Sequence, residues 1–252
     1  MGGYATSGQL RANARHLYRF GSGWQVLHIT FSECCVRYGE TIALHPTSIE
    51  LAGQRLGVIG LNGSGKTSFS RLINGLTLPN EGRVVVNGID TTTDPELARR
   101  QTGFVFQNPQ NQLIMPIVID DLIFGLKARG FSNTDAQSKA YAALARFGVE
   151  ELAKRRVHEL SGGELHLVAI ASVWVLQPGI LILDEPTNQL DLRNRRRVVE
   201  AIHSVEEDVI VVTHDLDLAA QMPRVLLFHE GRIAGDGPPD RVIAQYRELA
   251  AC

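Results

Sequence analysis

The chain has 252 residues, of which 44% are hydrophobic and 21% charged, which indicates a globular protein and excludes a disordered or fibrous one. A net charge of −2 at pH 7 lacks the basic excess of a dedicated nucleic-acid binder, so we expect no nucleic-acid partner. Cys34, Cys35 and Cys252 fit neither a disulfide framework nor a Cys-x-x-Cys metal site, and we predict reduced thiols.

Residues 1–24 differ from the rest, because they contain Arg11, Arg15 and Arg19 and no acidic residue. They lack the apolar core of a signal peptide, so we predict a flexible leader or an over-long gene start rather than a targeting peptide. The most apolar stretch, 165–176, is too short to cross a bilayer. If the protein works at a membrane, another chain must carry it there.

Apolar runs alternate with helical patterns along the chain, which predicts an α/β fold with a largely parallel sheet flanked by helices. Residues 55–60 predict a buried strand, and the segment after the following loop predicts a helix that stops near Gly75. Further predicted elements are buried strands at 180–186 and 208–215, a hairpin at 224–237 turning at Glu230 and Gly231, and a terminal helix at 240–250.

The pattern changes between residues 106 and 160, where apolar residues recur at helical spacing. Gly148 stands where the second of these helices would stop. We therefore predict a helical subdomain over about residues 108–160, inserted into an α/β domain that spans 25–252. The residues at helical spacing are Ile119, Leu122, Ile123 and Leu126, then Ala136, Ala140, Ala143, Leu144 and Phe147.

The segment GLNGSGKTS fits the phosphate-binding pattern G-x-x-x-x-G-K-[ST]. Glycines let backbone N–H groups approach phosphate oxygens, and the following helix adds its positive N-terminal end. Lys66 offers a positive charge to the outer phosphates, and Thr67 offers a hydroxyl oxygen to Mg²⁺. The predicted nucleotide-binding residues of this segment are Gly60, Asn62, Gly63, Ser64, Gly65, Lys66, Thr67 and Ser68.

Two carboxylates, Asp184 and Glu185, follow four apolar residues at the end of a predicted buried strand. A carboxylate there costs desolvation free energy unless it has a partner. A hydrated Mg²⁺ beside the phosphates would supply that partner for Asp184. Glu185 is then free to polarise a water for attack on the γ-phosphate.

The segment LSGGE precedes a helix that is apolar on nearly every side, and such a helix is buried. The N-terminus of that helix therefore presents the Ser161 hydroxyl and the backbone N–H groups of Gly162 and Gly163 on a rigid mount. This arrangement predicts a second anion site, separate from the first.

The segments GLNGSGKTS, VFQN, LSGGE, ILILDEP, NQLD and VVTHD follow one another along the chain. Together and in this order they resemble the motifs of the ATP-binding-cassette (ABC) ATPases, over about residues 25–237. The resemblance implies a P-loop NTPase core with a parallel sheet, an antiparallel β subdomain and an inserted α-helical subdomain. It also implies a clamp of two head-to-tail cassettes, in which each ATP lies between the Walker A motif of one chain and the signature of the other. The motifs are GLNGSGKTS (Walker A), VFQN (Q-loop), LSGGE (signature), ILILDEP (Walker B), NQLD (D-loop) and VVTHD (switch).

The resemblance also implies roles for single residues. Tyr38 matches the aromatic residue that stacks on adenine, and Gln107 matches the sensor of Mg²⁺ and water. Asp191 matches the D-loop aspartate that communicates across the dimer, and His214 the residue that contacts the γ-phosphate. The implied set is therefore catalytic Glu185, His214 and Gln107; Mg²⁺ ligands Thr67, Gln107 and Asp184; and further nucleotide-binding residues Tyr38, Ser161, Gly162, Gly163 and Asp191.

The chain departs from the family pattern at a few positions. Glu164 stands where glutamine is commoner, and we expect it to tune nucleotide affinity without abolishing binding. His166 and Leu167 stand where the family often has polar or basic residues. Gln189 replaces a residue that is usually glycine or another small one.

The sequence around Gln107 resembles the Q-loop region of energy-coupling-factor (ECF) importers, which import vitamins or transition-metal ions. These importers join a pair of ATPases to a transmembrane coupling protein and a small membrane substrate-binding protein. Members for cobalt, nickel and the shared vitamin systems often carry a C-terminal extension, whereas this sequence stops soon after the last predicted strand. The resemblance therefore favours a biotin-type ATPase.

The alternatives are a cobalt or nickel importer and a conventional binding-protein importer. In each case we expect a homodimer of this chain, bound peripherally at the cytoplasmic face of the cell membrane.

Two other classes of function remain as alternatives. Non-transport cassettes that act on ribosomes or DNA commonly fuse two cassettes or insert a long coiled coil, and the sequence contains neither feature. A nucleotide-binding regulator without turnover is disfavoured, because Glu185 and His214 are both present.

Overall fold

The structure, a computed structural model, describes residues 17–20, 23–26, 28–53 and 55–251, and for 17–20 and 23–26 it describes the backbone alone. Much of the predicted leader and Cys252 therefore lie outside the described residues. The strands are β1 (Leu17–Phe20), β2 (Gly23–Val26), β3 (His28–Tyr38), β4 (Thr41–Ala52), β5 (Leu56–Gly60), β6 (Glu81–Val86), β7 (Ile89–Asp90), β8 (Thr102–Val105), β9 (Ile180–Asp184), β10 (Asp208–Val212), β11 (Arg224–His229) and β12 (Arg232–Gly237). The helices are α1 (Lys66–Ile73), α2 (Pro95–Gln101), α3 (Val118–Ala128), α4 (Asn133–Arg146), α5 (Gly162–Trp174), α6 (Leu192–Ser204), α7 (Leu216–Ala219) and α8 (Pro239–Ala250).

A six-stranded sheet in the order β12-β11-β5-β10-β9-β8 forms the centre of the fold. Its strands pair in parallel except for β11 and β12, which form the predicted antiparallel hairpin. The hairpin turns at Glu230 and Gly231, which both have positive φ values of 46° and 71°, as a type I′ turn requires. The predicted buried strands β5, β9 and β10 are confirmed, since every residue in them is buried.

A second, antiparallel sheet in the order β4-β3-β6-β7 packs against one side of the centre. Phe31 of β3 stacks on Phe69 of α1 with ring centroids 4.5 Å apart, and Phe69 contacts Phe228 of β11 at 5.0 Å. All three rings are fully buried. Helix α1 is therefore fixed between the two sheets, and so is the loop that precedes it. Residues 17–20 and 23–26 form a separate antiparallel pair.

Cys34 and Cys35 lie on β3, where both are buried and free. Burial, and to a smaller extent the neighbouring Cys35 thiol, raises the pKa of Cys34 to about 12. A thiol with so high a pKa stays protonated and unreactive at neutral pH. The burial and high pKa are consistent with reduced thiols, which stay a prediction.

Helices α3 and α4 lie between β8 and β9 in the chain, where the helical spacing predicted them. The predicted inward-facing residues are buried, apart from the half-buried Ile123, and Gly148 ends α4 with a left-handed φ of 65°. Helix α5, which is apolar on nearly every side, is buried over most of its length and packs against α3, α4 and α6. The division of 108–160 into a separate subdomain remains a prediction.

Two glycine-to-alanine substitutions should change stability in opposite directions. An added Cβ at Gly103 of β8 would lie 2.3 Å from Val173 Cγ1 and 2.9 Å from Pro178 Cγ, and such overpacking costs about 1–3 kcal/mol. Gly125→Ala should stabilise the protein by about 0.5–1 kcal/mol, because Gly125 lies within α3 and its added Cβ would meet Leu176 at an ordinary 3.5 Å. Thermal unfolding of the full-length chain measures both effects. A Gly103→Ala chain as stable as the parent would show that α5 can shift away from β8.

Candidate active site

The glycine-rich loop follows β5 and wraps tightly before α1. Gly60, Gly63 and Gly65 have φ values of 151°, 76° and 102°, in the region that favours glycine. A Cβ at Gly60 would lie 2.3 Å from the Phe228 carbonyl oxygen, and one at Gly65 would lie 2.5 Å from the Ala43 carbonyl oxygen. Gly65 is also the N-cap of α1, which has no side-chain cap and no acidic residue in its first turn. The first N–H groups of α1 are therefore free of side-chain acceptors, as an anion site requires.

Lys66 is the main positive charge of this loop, and it is almost fully buried. Its Nζ donates hydrogen bonds to the carbonyl oxygens of Gly60, at 2.9 Å, and Leu61, at 3.0 Å. Burial lowers the pKa of Lys66, and the nearby carboxylates of Glu185 and Asp184 oppose that shift. A phosphate would give the buried ammonium a further counter-charge, so the loop fits a nucleoside triphosphate in charge as well as in shape.

Ser64 supports the same fit. Its side chain is buried, and its Oγ has no hydrogen-bond partner among the described residues. Buried hydroxyls are normally hydrogen-bonded, so an unpartnered one marks a place where a ligand or water is expected.

Thr67 and Asp184 provide two oxygens next to this loop. The Thr67 hydroxyl lies 3.4 Å from Asp184 Oδ1. Burial raises the pKa of Asp184, although the hydrogen bond from Thr67 and the charges of Arg71 and Lys66 act against the increase. No group of three or more His, Cys, Asp or Glu side chains in the described part of the chain could hold a metal ion by itself. The pair fits Mg²⁺, which commonly takes one or two protein oxygens and completes its shell with phosphate and water.

Glu185 and His214 form a hydrogen-bonded pair at the ends of neighbouring strands. His214 Nδ1 lies 2.7 Å from Glu185 Oε2, and the His214 backbone N–H donates to the same oxygen at 3.2 Å. Glu185 is buried, whereas the His214 side chain is 56% exposed. The backbone of Glu185 is left-handed, with φ 52°, a strained conformation for a residue with a side chain.

A cleft of 410 Å³ brings several of the predicted residues together. Gln107, Glu185 and His214 all line it, beside the glycine-rich loop. Asn188 and Tyr246 line it too, and neither is among the predicted site residues. Asn188 opens the D-loop segment NQLD, of which only Asp191 has a predicted role, and no sequence motif marks Tyr246. The complete lining is Gly60, Leu61, Asn62, Gln107, Glu185, Asn188, His214 and Tyr246.

Ser161 lies outside the lining of this cleft, at the N-terminus of α5. Its hydroxyl donates to Glu164 Oε2 at 2.7 Å, and its backbone N–H donates to the same oxygen at 2.9 Å. These two bonds, and the charges of Arg155 and Arg197, lower the pKa of Glu164. Glu164 thus forms a capping box with Ser161.

Gly163 and Asp191 are linked through Asn194. A Cβ at Gly163 would lie 2.3 Å from Asn194 Cγ, so the start of α5 touches α6 without room for a side chain. Asn194 in turn donates from its backbone N–H to Asp191 Oδ1 at 2.8 Å and from Nδ2 to Asp191 Oδ2 at 2.9 Å. Gln189 has a left-handed φ of 59°, which explains why a glycine suits this position.

Tyr38 lies at the end of β3 and is 53% exposed. It pairs with Thr41 across the turn into β4, and the carbonyl oxygen of Ala43 on β4 faces Gly65. Tyr38 is therefore on the strand that pairs with β4, and β4 contacts the glycine-rich loop at Ala43.

The helices of the described chain include none that is long and apolar enough to span a membrane.

Comparisons with known proteins agree with this geometry. The family model "ABC transporter" matches residues 44–188. The chain is 56% identical over 225 residues to a biotin transport ATP-binding protein, BioM, of Rhizobium etli, covering 89% of this chain and 100% of that one. It is 38% identical to an energy-coupling factor transporter ATP-binding protein of Halalkalibacterium halodurans, covering 79% of this chain and 73% of that one.

A solved structure has the same fold. It is cbiO1 from Clostridium perfringens, part of the ABC transporter complex cbiONQ, with a TM-score of 0.77, 29% sequence identity, and coverage of 88% of this chain and 93% of that one. The fold and the order of motifs expected from the sequence are thus those of a known family. The chain belongs to the ABC transporter family, as an ATP-hydrolysing cassette of the energy-coupling-factor type.

Proposed function

We propose that this chain is the ATPase subunit of an importer for biotin. The observation that carries the proposal is the 56% identity to the Rhizobium etli biotin transport protein across that protein's whole length. Two copies of the chain would work with a transmembrane coupling protein and a small membrane substrate-binding protein, at the cytoplasmic face of the membrane. Import of cobalt or nickel is the second candidate, since the resemblance to energy-coupling-factor importers covers transition-metal ions as well as vitamins.

The glycine-rich loop and Lys66 would bind the phosphates of ATP, and the exposed ring of Tyr38 would stack on adenine. Thr67, Asp184 and Gln107 would hold Mg²⁺, which neutralises charge on the phosphates when it is bound. The open Gly60–Asn62 segment and the Glu185–His214 pair face the same cleft, so a γ-phosphate bound there would lie next to both.

Glu185 would act as the base that polarises the attacking water. Its Oε2 already accepts a hydrogen bond from His214, which orients the carboxylate. Because a carboxylate only accepts hydrogen bonds, His214 Nδ1 carries the hydrogen in this contact. His214 Nε2 is then left to accept a hydrogen bond, or to donate one to the γ-phosphate if the ring is protonated.

The second anion site would complete the ATP site of a partner copy. Ser161 and the N–H groups of Gly162 and Gly163 lie outside the cleft of their own chain, which supports a role in the other half of a head-to-tail pair. Glu164 accepts a hydrogen bond from the Ser161 hydroxyl and so competes with a phosphate for it. The presence of Glu164 in place of glutamine would therefore weaken phosphate binding at this second anion site without abolishing it.

The helical region 108–160 would receive the coupling protein. Two large apolar side chains are exposed there, Ile114 at 74% and Phe124 at 45%. Gln107 lies just before this region and lines the nucleotide cleft, so contact with a membrane partner could be transmitted to the site of hydrolysis.

Co-purification tests the proposed function. The chain is expressed with its neighbouring genes and purified from membranes through a tag, and co-eluting subunits and bound ligand are identified by mass spectrometry. We expect two membrane proteins and bound biotin. A bound transition metal would support the second candidate, and recovery of the chain alone or with ribosomal proteins would contradict the importer.

Glu185→Gln should abolish turnover while leaving ATP binding intact. The amide cannot take a proton from water, and loss of a general base typically lowers kcat by about 100-fold to 10,000-fold. We expect the variant to accumulate as an ATP-bound dimer, which size-exclusion chromatography with Mg²⁺ and ATP would detect. Glu206→Gln is the matched control, because Glu206 is exposed and precedes β10 at the opposite end of the sheet from the cleft. Turnover by Glu185→Gln at the parent rate would contradict the assignment of the base.

Asp184→Asn should stabilise the nucleotide-free protein and abolish Mg²⁺-dependent hydrolysis. Burial raises the pKa of Asp184, so its ionised form is disfavoured in the folded state and an uncharged amide removes that cost. We expect a gain of about 1 kcal/mol, or a Tm increase of about 2–4 °C.

The gain should shrink as the pH is lowered, because protonation of Asp184 removes the same cost in the parent. Differential scanning calorimetry with EDTA, at neutral and acidic pH, measures this dependence. The exposed Asp120 provides the control substitution Asp120→Asn. A lower Tm for Asp184→Asn at neutral pH would contradict the expectation.

A further inference from the structure

Arg195 makes a two-pronged contact with Asp215 that no motif of the sequence marks. Its Nε donates to Asp215 Oδ2 at 2.6 Å, and its Nη2 donates to Asp215 Oδ1 at 2.7 Å. Arg195 lies in the first turn of α6, and its backbone N–H donates to the Asp191 carbonyl oxygen at 2.8 Å. Asp215 directly follows His214.

Asp215 also receives a hydrogen bond from the segment that follows Glu185. The hydroxyl of Thr187, which is buried, donates to Asp215 Oδ2 at 3.1 Å. The backbone N–H of Leu218 donates to Asp215 Oδ1 at 3.1 Å and so caps α7. One carboxylate therefore joins three segments: the one after Glu185, the one that begins at Asp191, and the one that contains His214.

This network is more rigid than an ordinary surface ion pair. The side chains of Arg195 and Asp215 are only 28% and 14% exposed. Burial raises the pKa of Asp215, but the hydrogen bonds from Arg195, Leu218 and Thr187 outweigh it and leave the pKa below its usual value. Both partners are therefore charged at neutral pH, and a planar guanidinium binding a carboxylate through two bonds fixes orientation as well as distance.

His214 depends on such support. Its side chain is more than half exposed and contacts Glu185 through a single ring nitrogen. The position of the ring is set by the backbone at 213–215. Backbone N–H groups hold this segment to Val58 (from Thr213, 3.0 Å) and to Glu185 (from His214), and the side chain of Asp215 ties it to two further segments.

We propose that Arg195 is a positioning residue for ATP hydrolysis, which acts through Asp215 to hold His214 against Glu185. Arg195 also connects this pair to α6, the helix that Asp191 caps, so a shift of α6 would move the pair. The inference rests on the proposed function, because it takes Glu185 and His214 to be the residues that activate water.

The test measures ATPase kcat and KM of the full-length chain with Arg195→Met, alone and combined with His214→Ala. We expect Arg195→Met to lower kcat about 10-fold and to change the KM for ATP less than about twofold, because Arg195 makes no contact with the glycine-rich loop. Added to His214→Ala, it should cause less than about a twofold further loss, because residues that act through one another are not additive. Arg195→Lys keeps the positive charge but cannot form the two parallel hydrogen bonds, so its kcat should lie between that of the parent and that of Arg195→Met.

Arg196→Met is the matched control, because Arg196 is the next residue on α6 and pairs with Glu200, one helical turn along the exposed face. It should leave kcat unchanged. If Arg195→Met fails to fold, Arg195→Lys and Asp215→Asn replace it in the same double-variant comparison.

Three outcomes would overturn the proposal. Arg195→Met could leave kcat at the parent value, or it could lower kcat by the same factor with and without His214, as a general structural defect would. A His214→Ala chain as fast as the parent would overturn the role of His214 itself, and this result is visible without any substitution at Arg195. Failure of the proposed hydrolytic site is thereby separated from failure of the proposal on Arg195.

Discussion

The parallel pairing of β5, β10 and β9 is the constraint on which the candidate site depends. Val212 pairs with both Val58 and Asp184, so the three strands end at nearly the same level. The carboxyl ends of parallel strands meet at one edge of a sheet, and ligands of such folds bind there. Residues that are more than a hundred positions apart in sequence, such as Lys66 and Asp184, are brought together by this register alone.

That edge concentrates charge in a place where water is scarce. Lys66, Asp184 and Glu185 are all more than nine-tenths buried. The charge of Lys66 partly compensates both carboxylates, whereas the two carboxylates repel each other. A buried charge is tolerated only with partners, so this incompletely compensated arrangement is complementary to phosphate and Mg²⁺, which would supply the missing counter-charges. The left-handed backbone of Glu185 and the hydroxyl of Ser64, which has no hydrogen-bond partner in the described part of the chain, are costs that the surrounding packing must support.

Short-range features of this protein could be predicted from its sequence, and long-range contacts could not. The strand before the glycine-rich loop, the turn at Glu230 and Gly231 and the buried helix α5 follow from patterns of a few neighbouring residues. The place of Tyr246 in the cleft and the bond between Arg195 and Asp215 depend on how distant helices pack, and no local pattern encodes either. The bond between Glu164 and Ser161 is of the local kind, because S-x-x-E is the sequence pattern of a capping box.

The contact between Gly163 and Asn194 has a mechanical consequence. The start of α5 and the start of α6 touch with no space for even one methyl group, and Asn194 is bonded to Asp191 on its other side. Close-packed groups transmit displacement instead of absorbing it. The N-terminal ends of α5 and α6 therefore move as one rigid unit, and neither can rotate toward a neighbouring molecule without the other.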